Sequence, residues 1–334
     1  AGLDCEPQVL VVCHLGPLSA KTWMRGPGDH QALRRTQFGQ QFTGLGVKGT
    51  GAETTGQPDA THVRRHTHHQ LRLGNRRFHC WKRGGHGYVN LNDSLKRSCD
   101  VYYYDVSQRV GIDKIAEMAR KLGLGERHDL PMSAVSEGLI PDQAWKQANR
   151  GEAWQKGDTL NASIGQGFVL ASPLQLAVMS ARIATGLAIK PRLVRSIGGE
   201  EIPVEPPEPL GISSSNLRAV RRAMFEVSNI RGGTAWRTRI DEEELRLAGK
   251  TGTSQVRNIT KEERARGVFR NRDLPWNRRD HALFVCYAPY DKPRFAVAVV
   301  VEHGGGGSTA AAPVARDILL YALHGGMPPL TSYP

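Results

Sequence analysis

No stretch of this 334-residue chain is apolar for anything near the roughly 20 residues that a membrane helix needs. The longest uninterrupted apolar runs, such as residues 295–301, fall far short. No secretory signal opens the sequence, so if the protein works outside the cytoplasm its targeting segment lies upstream. Cysteine is scarce. Cys5, Cys13, Cys80, Cys99 and Cys286 make an odd set with no tight framework, which argues against a disulfide scaffold. The run Gly304-Gly305-Gly306-Gly307-Ser308 follows a strand pattern but lacks the spacing of either phosphate-cradling glycine motif, so nucleotide binding is excluded on that ground.

Charge of one sign is not lacking. Lys and Arg number 45 against 32 Asp and Glu, for a formal net charge of +13. The basic residues are scattered, however, and no recognition-helix or zinc-finger spacing accompanies them, so no nucleic acid is expected as a partner. A basic surface of this kind suits an anionic cell-wall polymer or a membrane face. With 39% hydrophobic residues the chain is globular and long enough for one large domain or two ordinary ones.

The most informative stretch is Ala248-Gly249-Lys250-Thr251-Gly252-Thr253-Ser254. About thirty residues on, the apolar runs 281–289 and 294–303 flank the turn Tyr290-Asp291-Lys292-Pro293 and read as a β-hairpin, with Lys250 on a strand beside it. An ammonium and two hydroxyls on one strand edge can hold a carboxylate. Gly252, with no Cβ, lets another extended chain lie against the backbone. A four-residue Lys-Thr-Gly-Thr turn also arises by chance, so neighbouring segments must decide.

Residues 1 to about 70 are rich in Gly, Thr, Gln, Arg and His and show little that reads as helix or strand, in the manner of a flexible tail. Patterning sharpens from Leu71. A helix is expected after Leu91-Asn92-Asp93-Ser94, carrying Ser98-Cys99-Asp100 near its start and ending near Gly111. A second runs over 112–122, and residues 124–160 read as loop. Asn161-Ala162-Ser163-Ile164-Gly165-Gln166-Gly167 leads to a helix over 174–185, with Ser172 as N-cap and Pro173 in the first turn. A strand over 192–197, a proline-rich connector, a helix over 214–228 and the segment Gly232-Gly233-Thr234-Ala235 precede the Lys250 strand. Residues 255–280 form a long charged loop, and a last helix covers 311–323.

With Ser98-Cys99-Asp100, Ser163-Ile164-Gly165-Gln166-Gly167 and Lys250-Thr251-Gly252-Thr253 in this order, the chain resembles the transpeptidase domain of class B penicillin-binding proteins, closest to the elongation-specific type 2. The likeness covers about residues 71–327 and includes His281-Ala282-Leu283-Phe284, Val301-Glu302-His303-Gly304-Gly305 and Ala311-Ala312-Pro313. It leaves residues 1–70 as an unmatched, disordered or frame-shifted segment and 328–334 as a tail. The resemblance implies an α/β (α+β) serine transpeptidase / β-lactamase-like fold: a five-stranded antiparallel sheet flanked by helices, with an all-helical subregion. It implies a serine that attacks the D-Ala-D-Ala bond of a peptidoglycan stem peptide and passes the acyl group to an amine on a second peptide. β-Lactams would acylate the same serine. No cofactor is required for that chemistry. Expected partners are stem peptides, β-lactams and elongation-machinery membrane proteins including a glycosyltransferase, at the periplasmic face of a bacterial inner membrane.

Carried over by position, Ser98 would relay a proton to the leaving nitrogen, and Asp100 would position the substrate amide and the catalytic lysine. Lys250 and Thr251 would hold the terminal carboxylate or help move protons, and Gly252 would leave room on the strand. The Thr253 backbone N–H would supply half of an oxyanion hole. The plainer account of Ser98 and Asp100 is a helix cap.

One departure from the family pattern outweighs these agreements. No Ser-x-x-Lys occurs anywhere in the sequence. The nearest echo, Gly44-Leu45-Gly46-Val47-Lys48, offers Lys48 as the motif lysine but puts Leu45 where the serine belongs, and leucine cannot be acylated. Either the chain is a non-catalytic, peptide-binding or scaffolding relative, or residues 1 to about 70 are a shifted reading frame joined to a true domain. The abrupt loss of apolar periodicity across that boundary favours the shifted frame. Translation of the coding DNA in its other frames is then expected to yield Pro-Gly-Ser-x-x-Lys, and its absence from every frame would sink the idea. A β-lactamase-like hydrolase shares the fold class, but no added deacylating base is visible.

Cys80, His86 and Cys99 have the spacing C-x5-H-x12-C. Two thiolates and an imidazole suit tetrahedral zinc, with His66, His68, His69 or His79 available as a fourth ligand. Equally, Cys99 could be a small buried residue and His86 a surface turn residue. Some members of the resembled family carry zinc at this place.

Overall fold

The computed structural model describes residues 10–14 and 65–334. Its centre is an antiparallel sheet built from β1 (Leu10–His14), β8 (Ala248–Ser254), β9 (His281–Ala288) and β10 (Phe295–Val301) in the order β1-β10-β9-β8. The hairpin forms as expected, with Phe295 opposite Ala288 and Val301 opposite Ala282. The Lys250 strand pairs with β9, so that Lys250 faces Val285 and Gly252 faces Leu283. Residues 282–288 of β9 are all buried, which requires cover on both sheet faces and explains why this antiparallel strand reads as a continuous apolar run.

Two features depart from the sequence expectations. Four strands make up this sheet among the described residues, where the resemblance implies five. Leu10–His14, from the part of the chain with weak patterning, pairs with β10 in register from Leu10 opposite Val299 to His14 opposite Phe295. The run Leu10-Val11-Val12-Cys13 is apolar and β-branched enough to form a strand, a local signal that the polar sequence after it masks.

The remaining strands are short: β2 (Arg65–Thr67) with β5 (Gly87–Val89), β3 (Gln70–Leu73) with β4 (Arg76–His79), and β6 (Ser196–Ile197) with β7 (Glu200–Glu201). The last pair is all that forms of the strand expected over 192–197.

Helices α1 (Leu91–Lys96), α2 (Asp100–Val110), α3 (Ile112–Lys121), α4 (Gln143–Arg150) and α5 (Lys156–Ser163) form the helical part beside the sheet. The last two lie where the sequence reads as loop, because their polar composition hides them. Asp142 caps α4 through Trp145 N–H at 2.8 Å, and a capping box of Gln155 and Asp158 starts α5. Helix α6 (Pro173–Thr185) begins at Ser172 with a capping box to Gln175 and packs on β1, β9 and β10. Helix α7 (Ser214–Asn229) packs on β8, and α9 (Ala312–His324) on β9 and β10. A short α8 (Lys261–Arg266) interrupts the charged loop, where Arg257 forms a bidentate pair with Glu263.

The core has two parts. The larger runs through α6, α7, α9 and the sheet; the smaller gathers Cys80, Val89, Cys99, Tyr102, Tyr103, Tyr104 and Leu160 around α2. The turn between α1 and α2 lies where the two meet.

Candidate active site

The sequence places Ser98 inside one helix, but the structure breaks that helix in two. Helix α1 closes with Cys99 N–H donating to the Ser94 carbonyl at 2.8 Å and Ser98 N–H to that of Leu95 at 3.3 Å. This is the Schellman arrangement, which turns the chain through one left-handed residue. That residue is normally glycine; here it is Ser98, at φ 53°. A side chain there costs on the order of 1 kcal/mol, and glycine would remove the cost while losing the hydroxyl. Cys99 then serves as N-cap of α2, and Asp100 opens its first turn.

From the opposite side, β8 delivers Lys250. Its ammonium donates to Ser98 Oγ and, at 2.7 Å, to the Thr251 carbonyl. Ser98 is 2% exposed, and Lys250 and Asp100 are buried with it. Burial drives the Lys250 pKa down to about 7, partly countered by the charge of Asp100. Burial drives the Asp100 carboxyl up to about 7, reinforced by Cys80 and countered by the Trp81 N–H and by Lys250. The site therefore holds an amine on the serine hydroxyl and a carboxyl coupled to that amine by charge, both brought by burial towards neutrality.

The Lys250 shift carries a stability consequence. A lysine that titrates near 7 in the fold and near 10.5 unfolded penalises the folded state fully below pH 7. The penalty fades as pH rises from 7 towards 10.5, because the unfolded chain binds the extra proton across that window. Lys250→Met is therefore expected to melt above the parent at pH 6, with the gap closing by pH 10. Thermal melts at the two pH values read it out, and a gap that widens with pH would refute the assignment.

Other groups complete the frame. Trp81 donates its backbone N–H to Asp100 Oδ2 and its indole N–H to the Ser98 carbonyl, each at 2.8 Å. The Thr234 and Thr251 hydroxyls share a hydrogen bond of 2.8 Å, and Thr234 N–H meets the Lys96 carbonyl at 3.2 Å. Gln166 Nε2 donates to the Thr253 carbonyl at 3.4 Å, which ties the Ser163–Gly167 segment to β8. Gly307 packs so closely on β8 that a Cβ would lie 2.4 Å from the Gly252 carbonyl oxygen.

These observations define a buried lysine on a strand, a serine–aspartate turn facing it and small residues against the strand. In agreement, a family model of the penicillin binding protein transpeptidase domain matches residues 59–320. The chain belongs to the penicillin-binding protein transpeptidase family. The peptidoglycan D,D-transpeptidase MrdA of Haemophilus influenzae is 35% identical over 266 residues, 77% of this chain and 40% of that protein. The MrdA of Escherichia coli K12 is 32% identical over 262 residues, again 77% and 40%. Among solved structures, Helicobacter pylori penicillin-binding protein 2 in complex with MreC has a TM-score of 0.67 at 32% identity, covering 79% of this chain and 46% of that one. Pseudomonas aeruginosa penicillin-binding protein 2 has a TM-score of 0.66 at 34% identity, covering 82% and 57%. The chain thus spans about 40% of the length of the curated relatives it matches.

Of the residues singled out in the sequence, Ser98, Asp100, Lys250 and Thr251 come together in one buried group, with Gly252 and Thr253 next along the same strand. Lys48 and Leu45 lie outside the described residues. Trp81, Gln166 and Thr234 escaped the sequence reading of the site. Gln166 and Thr234 stand in segments singled out there, but a tryptophan that acts through its main chain and indole N–H leaves no spacing to find.

Cys80, His86 and Cys99 also converge. Their donor atoms all lie within 4.8 Å of one another, all three residues are buried, and Cys80 Sγ is 3.4 Å from His86 Nδ1. The contact with Cys99, together with burial, pushes Cys80 up to about 12, and the contact with Cys80 pulls Cys99 down. Three buried donors, two thiols and an imidazole, gathered this closely fit a cation. Among the described residues the group holds these three alone. His68, His69 and His79 do not join it, which corrects that expectation, and the His66 side chain lies outside what the structure describes.

Proposed function

We propose that this chain is the transpeptidase module of an elongation-type peptidoglycan D,D-transpeptidase, cross-linking stem peptides at the periplasmic face of a bacterial inner membrane. The observation that carries the proposal is the hydrogen bond from Lys250, depressed to about 7, to a serine held in a left-handed turn. A neutral amine can take a proton from Ser98 Oγ and return it, so Ser98 becomes the relay to the nitrogen that leaves the D-Ala-D-Ala bond. Asp100 fixes the turn through Trp81 and holds Lys250 by its charge. Thr251 and Lys250 receive the terminal carboxylate, Gly252 admits the peptide backbone, and the Thr253 N–H stabilises the oxyanion.

The acyl-accepting serine is the part the described site does not supply, in keeping with the missing Ser-x-x-Lys, and Lys48 would be the motif lysine only where the segment that carries it is native. We assign residues 71–327 to the catalytic module, which the family match carries back to residue 59, and the chain before that match to a shifted frame. If the segment is instead native, the same cleft binds stem peptides without cross-linking them, as a scaffolding relative would. Intact mass after exposure to a labelled penicillin, with mapping of any adduct, separates these outcomes when the chain carries the segment read in the alternative frame: one adduct marks the catalytic module and none the scaffolding relative. Continuous turnover of a chromogenic β-lactam would instead mark a hydrolase.

Cys80, His86 and Cys99 would hold zinc as a structural ion, which would fix the Ser98 turn from beneath. The similarity to MreC-bound and synthase-complex relatives supports elongation-machinery partners, a glycosyltransferase among them. No helix among the described residues is long and apolar enough to cross a membrane.

A further inference from the structure

Three free cysteines stand among the described residues, and all are buried. Cys286 belongs to the larger core, Cys80 and Cys99 to the smaller one. The sulfurs of Cys80 and Cys99 lie within 4.8 Å of each other, and their side chains are in hydrogen-bond contact. Their backbones are held side by side as well. Trp81, next to Cys80, donates its main-chain N–H to Asp100 Oδ2 and its indole N–H to the Ser98 carbonyl, and those two residues flank Cys99. Cys80 is anchored on its other side, with its N–H on the His69 carbonyl at 2.8 Å. The sulfurs therefore meet across a preset frame, and a bond of about 2.05 Å needs only that the side chains close the remaining gap.

Access to the two thiols is unequal. Cys80 is 7% exposed and Cys99 0%. Cys80 Sγ lies 3.4 Å from His86 Nδ1, and His86 lines a cavity of about 400 Å³ together with Trp81, Lys82 and Arg97. The two cations in that lining favour an anionic reagent. A small anionic disulfide that enters the cavity meets Cys80 first, with Cys99 behind it.

We propose that Cys80 and Cys99 are a redox pair that closes to a disulfide, a state that excludes a cation from the same site. The Cys80 thiol gives up its proton and attacks a small aliphatic disulfide, forming a mixed disulfide and releasing one thiol. Cys99, deprotonated in turn, attacks the Cys80 sulfur and releases the second. Two protein thiols and one reagent disulfide become one protein disulfide and two small thiols, with two electrons passing from the cysteines to the reagent. Once the sulfurs are joined neither is a thiolate, so His86 is left as a single donor and an ion has no site. The crosslink ties the residue after β4 to the N-cap of α2. It would hold the Ser98 turn in an oxidising compartment such as the periplasm, where a bound ion would hold it under reducing conditions. The inference goes beyond the transpeptidase reading, and the disulfide needs neither that reaction nor the ion.

The full chain tests it. The protein is reduced, stripped of metal with a chelator, treated while folded with oxidised glutathione, alkylated and mapped by peptide mass. Of its five cysteines, Cys80 and Cys99 are expected to lose their thiols together as one crosslinked pair of peptides, while Cys286 stays a thiol. Cys99→Ser should stop at the mixed disulfide on Cys80, and Cys80→Ser should leave Cys99 a thiol. The parent's own map decides the case if either variant fails to fold. The crosslinked chain should melt several degrees above the reduced, metal-free chain and take up roughly a tenth or less of the zinc that the reduced chain takes. Thiols that both survive the oxidant, a link from either to any other cysteine, an unchanged melting temperature, or zinc retained after crosslinking would overturn the proposal. A crosslink that forms in a chain whose reduced form takes no zinc supports the redox pair and removes only the zinc reading. Penicillin acylation, measured separately, bears on the transpeptidase reading alone.

Discussion

Exposed to a labelled penicillin, the chain as written is expected to keep its unmodified mass. Acylation needs a hydroxyl that can come within about 3 Å of the lactam carbonyl with a base beside it. The sequence has no Ser-x-x-Lys, and the serine that does sit beside a lysine, Ser98, is 2% exposed with its oxygen already accepting from Lys250. A version in which the shifted segment is replaced by the frame containing Pro-Gly-Ser-x-x-Lys should take one adduct per chain. In that version Lys250→Ala should slow acylation by roughly 10² to 10³, the scale expected when a positioned proton-transfer or charge-stabilising group is lost. Intact mass and peptide mapping decide the matter. A stoichiometric adduct on the chain as written, mapped to Ser98 or to any other residue, would show that the cleft has a nucleophile of its own.

Purified protein is expected to carry close to one zinc per chain, and Cys99→Ser to lose it. The donor atoms of Cys80, His86 and Cys99 already lie within 4.8 Å of one another, so little rearrangement is needed to bind the ion. An ion present at a thousandfold excess over its dissociation constant stabilises the fold by about 4 kcal/mol. For a domain of this size, about 2–4 °C per kcal/mol makes that roughly 10 °C in melting temperature. Chelation should therefore lower the melting temperature of the parent and leave that of Cys99→Ser unchanged. Because Cys99 follows Ser98 and caps α2, loss of the ion should also loosen the Ser98 turn. Elemental analysis with a stoichiometry near zero, or a chelator that shifts both proteins alike, would defeat the assignment.

Legibility tracked physical cause. The hairpin, the Lys250 strand, α3, α6, α7 and α9 could be read because burial imposes a period on their side chains. Helices α4 and α5 could not, since they are polar and depend on caps and local ion pairs such as Lys146 with Asp158 at 2.7 Å. The break between α1 and α2 was hidden because serine occupies a position whose usual mark is glycine. At the site, spacing led to Ser98, Asp100, Lys250 and the three soft donors. Trp81 and Thr234 act through contacts that exist only once distant segments meet.

The sequence by itself determined the family order of the motifs, the strand bearing Lys250, the C-x5-H-x12-C donors and the absence of Ser-x-x-Lys, because residue identity and local period are properties of the chain alone. Only the tertiary structure decided that Lys250 meets Ser98 across 152 positions, that both are buried enough to bring the amine near neutrality, and that Lys82 and Arg97 share one cavity. Proton affinity depends on desolvation and neighbouring charge. Neither is defined until the two core clusters close around the turn between α1 and α2.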